Sequence, residues 1–181
     1  MAKESIFWTP FRTSFGANIG GASRRLFIVQ SPVAFGKRLI VRGYRFTLRS
    51  GVVAAGTNFG VQLVRAVAPG APGGGSPSAG VPLREGDAAS NAAVFFDPDG
   101  ATAITGAAGT ESIIDGCGTS APAITTCAPP TVMEYNLEAS CRGSFGGIVI
   151  NVGDALCLRQ HQSFASQAQM ICDGFVIWEE Q

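Results

Sequence analysis

Glycine and proline break this chain so often that no apolar segment is long enough to build a layer of helices. The 24 glycines and 10 prolines in 181 residues lie between short apolar runs without a strict period, which excludes a collagen repeat. They read as turn punctuation. Only 14% of residues are charged and only two are lysines, so the mixtures that coat free-standing helices are missing. At 46% hydrophobic content the chain can bury one sizeable core.

Period-two alternation supplies the elements. Within residues 37–49, Tyr44, Phe46 and Leu48 alternate with Arg45, Thr47 and Arg49 once past Gly43, the pattern of a half-buried strand. Phe59, Val61 and Leu63 repeat it. Met133, Tyr135, Leu137, Ala139 and Cys141 alternate with Glu134, Asn136, Glu138 and Ser140. Further runs lie at Ala92 to Phe96, Gly146 to Ile150, Ala155 to Gln160 and Met170 to Trp178. No helical crossover separates them, so a parallel sheet is excluded. The expected fold is all-β, an antiparallel β-sandwich or jelly roll. Residues 68–82, rich in Gly and Pro, are expected to form a solvent-exposed loop with no ladder, and residues 106–130 a second long excursion with at most a short strand.

The first 23 residues differ in texture. Phe7, Trp8, Phe11 and Phe15 fall within nine positions, among Thr, Ser, Pro and Gly. Four aromatics so close together must lie on the chain's own domain or on another molecule. Residues 1–23 are expected to form an extended arm on a single domain at 24–181. Phe7, Trp8, Phe11, Arg12, Phe15, Arg24 and Arg25 are the candidate protein-interface residues, the aromatics for apolar contact and the arginines for an acidic partner.

A formal net charge of zero conceals a strong sorting. Before residue 66 stand ten cations and one anion, Glu4; after it stand three cations and twelve anions, so the two parts carry +9 and −9. Two explanations are open: basic and acidic strands pair across one sheet and cancel locally, or a basic surface faces an acidic partner while an acidic surface faces outward or toward a neighbouring copy.

Catalytic chemistry has little to work with. His161 is the sole histidine, beside Ser163, and no third group is evident to orient it. Glu134 and Glu138 would stand about 13 Å apart on a strand, too far for paired glycosidase carboxylates. The glycine run lacks Gly-Lys-Ser/Thr. Five cysteines at 117, 127, 141, 157 and 172 form no Cys-x-x-Cys, so no metal or cofactor is expected. Cys141, Cys157 and Cys172 fit buried reduced thiols, whereas Cys117 and Cys127 flank a loop and could bridge in an oxidising compartment. Arg38, Arg42, Arg45 and Arg49 divide between two strand faces, a weak track for nucleic acid. No apolar run approaches the roughly 18 residues of a membrane span, and the amino terminus carries no secretory leader.

Asn151-Val-Gly-Asp-Ala-Leu-Cys-Leu-Arg-Gln160, followed by Gly174-Phe-Val-Ile-Trp-Glu179, resembles the closing hairpin of jelly-roll virion proteins of tailed bacteriophages. It is also similar to the β-sandwich of trimeric tumour-necrosis-factor-like modules. The likeness covers about 30 residues directly. It implies a non-enzymatic capsid cement or decoration protein, made in the host cytoplasm and placed on the capsid surface as a homotrimer bound to the major capsid protein. A tail-fibre or receptor- and carbohydrate-binding module of the same fold is the alternative. The two long loops and the cysteine count depart from the pattern.

Overall fold

The computed structural model describes residues 5–14, 24–50, 58–98, 104–105, 110–120, 133–140, 147–160 and 170–181. Their strands are β1 (Ile6–Ser14), β2 (Arg25–Gln30), β3 (Leu39–Ser50), β4 (Asn58–Val67), β5 (Ser76–Ser78), β6 (Val81–Pro82), β7 (Ala93–Phe96), β8 (Thr110–Ser120), β9 (Met133–Ser140), β10 (Ile148–Ile150), β11 (Ala155–Gln160) and β12 (Met170–Glu180). All pairings are antiparallel. The first sheet runs β10-β3-β12-β1-β6, with β9 also paired to β3; the second runs β5-β7-β2-β11-β4-β8. The expected β-sandwich is therefore the observed architecture.

The two sheets close on one core. Phe7, Phe11, Tyr44, Phe46 and Trp178 enter from the first sheet and Leu26, Phe27, Val29, Leu63, Leu156 and Leu158 from the second. Phe11 stacks on Phe27 across the sheets with ring centroids 4.4 Å apart. A smaller cluster forms on the far side of the second sheet, where Ile104 is buried with Ile28, Val64, Ala66, Ala155 and Cys157. A bulge explains why the alternation of β3 is clear only past Gly43. The register against β12 shifts between Ile177 and Trp178, so inward positions change from Leu39 and Val41 to Tyr44 and Phe46. Arg42 reaches Glu179, on the same outer face as Arg45, rather than the face opposite it.

Three expectations are corrected. Residues 6–14 are not a free arm: β1 pairs with β12 over nine positions and with β6 on its other side. Its inward side chains fill the core, and buried Thr9 and Thr13 donate to the carbonyls of Ala79 and Asp97, which lets polar residues sit there. Residues 1–4 and 15–23, Phe15 included, lie outside the described residues. The segment 68–82 does form ladders, with Pro77 opposite Phe95 and Pro82 opposite Phe7. Both pieces lie at sheet edges, where a missing N–H breaks no ladder. Gly80 between them is packed so close that a Cβ would lie 2.5 Å from Trp178 Cζ2. Finally, 110–120 is an eleven-residue strand paired along β4, because an edge position asks of glycine-rich backbone only that its hydrogen bonds be met.

Cys157 is a buried free thiol and Cys172 is likewise buried, as their apolar settings suggest. Cys117 lies in β8, while Cys127, Cys141 and His161 lie outside the described residues. Burial pushes the Cys157 thiol up to about 12.

Two outcomes follow from this packing. Deleting residues 1–14 should abolish cooperative unfolding, since it strips one edge of β12 and opens the core at Phe27 and Trp178; each lost aromatic alone is worth about 3–5 kcal/mol. A truncated protein with an unchanged thermal transition would contradict the pairing. Cys157 should resist thiol reagents in the folded protein at pH 8 and react on unfolding. Because its folded pKa lies above the unfolded value, its contribution to stability is complete below about pH 9 and falls as pH rises toward 12. Alkaline denaturant titrations of the parent and Cys157→Ala would separate that contribution.

Candidate attachment surface

Of the seven sequence-predicted interface residues Phe15 lies outside the described residues, and the other six divide sharply in the fold. Arg24 and Arg25 are buried, and their charges are committed internally. Arg24 Nε lies 2.5 Å from Asp97 Oδ2, with Asp97 wholly buried. Arg25 Nη2 lies 3.1 Å from Glu111 Oε1, and Arg159 binds the other oxygen of the same carboxylate. Arg159 also donates to Gln62 at 3.0 Å. Phe7 and Phe11 are core residues, 1% and 6% exposed. None of these four is available to a partner, because the apolar surface and charge that would hold it are already satisfied within the fold.

Trp8 and Arg12 behave differently, because the same alternation that buries Phe7 and Phe11 turns them outward. Ile6, Trp8, Pro10 and Arg12 occupy the outer face of β1. Register sets them beside Glu179, Ile177, Phe175 and Asp173 of β12, which share that face. Val81 lies opposite Trp8 on the other flank, and Leu83 follows it. Ile6 and Val81 are exposed, and Trp8, Phe175 and Ile177 are half-buried, so an apolar strip crosses three strands, with exposed Leu83 beyond its edge on the bend after β6. At one end of it Arg12 is largely exposed and lies 3.5 Å from Asp173. An exposed pair of this kind holds its partners weakly and leaves the guanidinium open to a second carboxylate. Period-two alternation within residues 6–14 could have separated these two sets, had the segment been read as a strand rather than an arm.

The sorted charges pair inside the molecule. Arg12 with Asp173, Arg24 with Asp97, Arg25 with Glu111, Arg42 with Glu179 and Arg65 with Asp154 each join a cation from the basic part to an anion from the acidic part. Backbone register also sets Arg45 opposite Glu138 and Arg49 opposite Glu134. Local cancellation thus accounts for much of the asymmetry, as the first of its two explanations required. Among the described residues no group of three or more His, Cys, Asp or Glu converges on a point that could hold a metal ion. No described helix is long and apolar enough to cross a membrane.

Asp97→Ala should cost about 3–5 kcal/mol, because it leaves the Arg24 guanidinium buried without its carboxylate. Chemical denaturation measures the loss, and pairing it with Arg24→Met should recover much of it. Comparison with family models, with curated proteins and with solved structures returns no match, so a functional reading has to be built from the residues of this chain.

Proposed function

We propose that this chain is a capsid cement protein of a tailed bacteriophage, a virion structural protein that binds the outer surface of the head and stabilises contacts between capsomers. The observation that carries the reading is the outward strip of Ile6, Trp8, Pro10 and Phe175, with Arg12 at its end, on a rigid sheet. A cement protein needs apolar contact area and charge complementarity across joints in the shell, and no turnover. The strip offers both. Strand order supports the jelly-roll part of the proposal. Taking β9 and β10 as one strand and leaving aside the short β5, β6 and β7, the eight remaining strands order as first, eighth, third, sixth in one sheet and second, seventh, fourth, fifth in the other. That order is in keeping with two Greek keys wrapped into a double sheet. The major capsid protein is the proposed partner and the homotrimer the proposed assembly, with the protein on the capsid surface after synthesis in the host cytoplasm. Enzymatic activity, a cofactor and nucleic-acid binding form no part of the proposal.

A second reading has one observation in its favour. Trp8 and Phe175 occupy adjoining rows of one face, and a flat aromatic platform is what a receptor- or carbohydrate-binding module of a tail fibre would present.

The test begins with intact particles of the phage that encodes this chain. The protein should copurify with filled heads in a fixed copy number per capsomer cluster. Trp8→Ala and Arg12→Glu should each weaken rebinding to stripped heads by roughly tenfold or more, with the fold checked by circular dichroism. Raising salt should slow capture more than it speeds release, since screening acts on approach while apolar contacts persist. Recovery only with tail fractions, together with glycan binding lost in Trp8→Ala, would replace cementing with the second reading.

A further inference from the structure

The outer face of the second sheet carries an open apolar groove of about 570 Å³, large enough to admit a side chain with its flanking backbone. Ala93 and Phe95 form its floor, Val33 stands on one wall, and Ala68, Ala71 and Pro72 make the other. Both polar supports of the loop wall come from beneath. Gln30 Nε2 donates to the Gly70 carbonyl at 2.9 Å, and the Asp154 carboxylate accepts the Ala68 N–H at 3.2 Å while pairing with Arg65 at 3.0 Å. Ala68 has φ +47°, a left-handed conformation uncommon for a residue with a Cβ, and the carboxylate holds it there. The groove is therefore pre-shaped, and filling it requires little further ordering. Among the described lining residues Gln30 alone has a polar side chain, and its Nε2 already donates to the Gly70 and Gly153 carbonyls, so the lining suits an apolar occupant.

Charge on the rim narrows the choice. Val33 is 77% exposed, and past Pro32 and Ala34, which line both the groove and an adjoining hollow, Phe35 carries the exposed Lys37 ammonium 5.5 Å from its ring centroid. A fitting occupant thus has an apolar side chain with a carboxylate close by. This chain displays such a segment. Beyond β6, Leu83 is 56% exposed on a bend that continues through exposed Arg84 and Glu85 to Gly86 at φ +83°. The bend is anchored by the Leu83 N–H on the Ile6 carbonyl at 2.8 Å. Exposed Ile113, by contrast, lies along β8 and does not project.

Position also agrees. Ile6 pairs with Glu179, Gln181 exchanges backbone hydrogen bonds with Arg38, and Ser31 exchanges them with Gly153 and Asp154 beside the groove. Bend and groove therefore stand at the same end of the sandwich, on different sheets. Unlike patches at one level are what a closed rotational ring requires. We propose that the groove receives the Leu83 bend of a second copy, with Leu83 between the walls and Glu85 facing Lys37, and that repetition of this contact closes the homotrimer. The inference rests on the trimeric part of the proposed function and names the surfaces that make it.

Sedimentation equilibrium of the full chain over a concentration series tests it. The parent should be trimeric, and Leu83→Asp and Val33→Asp should each shift it to monomer with an unchanged circular dichroism spectrum. Lys37→Glu and Glu85→Lys should each weaken association by roughly tenfold or more, and the double variant should regain most of the loss. Because all four positions are exposed, these changes leave the core intact. A parent that stays monomeric both free and on heads would remove the trimer itself and the groove contact with it. A trimer that survives Leu83→Asp and shows no rescue by the reversed charge pair would overturn the groove contact alone. So would a trimer unchanged by Val33→Asp that no longer binds heads, since the groove would then hold a shell segment.

Discussion

Pairing of the last strand between the first and the third is the constraint on which the rest of this fold depends. β12 matches β1 over nine positions and β3 over eleven, and Trp178, Val176 and Cys172 on its inner face are wholly buried. Until residues 170–180 are in place, β1 has among the described strands only the two-residue β6 beside it, and Phe7 lacks the Trp178 ring it stacks on. The ends of the chain are thus joined at the middle of one sheet. Such non-local pairing is slow to form, because loop closure must be met before any contact rewards it.

The ion pairs obey the same long-range logic. Arg12, Arg24, Arg25, Arg42 and Arg65 all find carboxylates at least 73 positions away, the shortest span being Arg24 to Asp97. Pairs as buried as Arg24 with Asp97 add little net stability, since desolvation offsets most of the attraction. Their effect is on register. A one-residue slip of β11 would part Arg159 from Glu111 and send Leu156 and Leu158 to the outer face. Sorting of charge along the chain thus becomes specification of strand pairing, and only pairs near the surface, such as Arg12 with Asp173, remain open to another molecule.

Among the described residues, two surfaces stand out once the core and the ion pairs are accounted for. One is the strip on the outer face of β1 and β12, in line with attachment to a large partner. The other is the groove held open by Gln30 and Asp154, a shape suited to one projecting side chain. They lie on opposite sheets, so both can be engaged at once, which the proposed cement role would require.

Strand positions were legible in the sequence because alternation of apolar and polar residues and Gly/Pro turns act over a few residues. Met133 to Ser140, Ala155 to Gln160 and Met170 onward could be marked from that signal alone. Residues 6–14 could not be assigned a buried face, because both of their faces are mixed: Phe7 and Phe11 share one with Thr9 and Thr13, and Trp8 shares the other with Arg12. Which face went inward was decided when Phe27 and Trp178 arrived from distant parts of the chain to meet Phe7 and Phe11. The strands within 68–82 and 110–120 were likewise hidden, since neighbouring β7, β1 and β4, rather than local propensity, supply their pairing. Local pattern therefore determined where strands would form. Only tertiary contact decided which side chains they would bury, which charges would cancel, and which apolar surface would be left for a partner, because each of those depends on residues brought together from far along the chain.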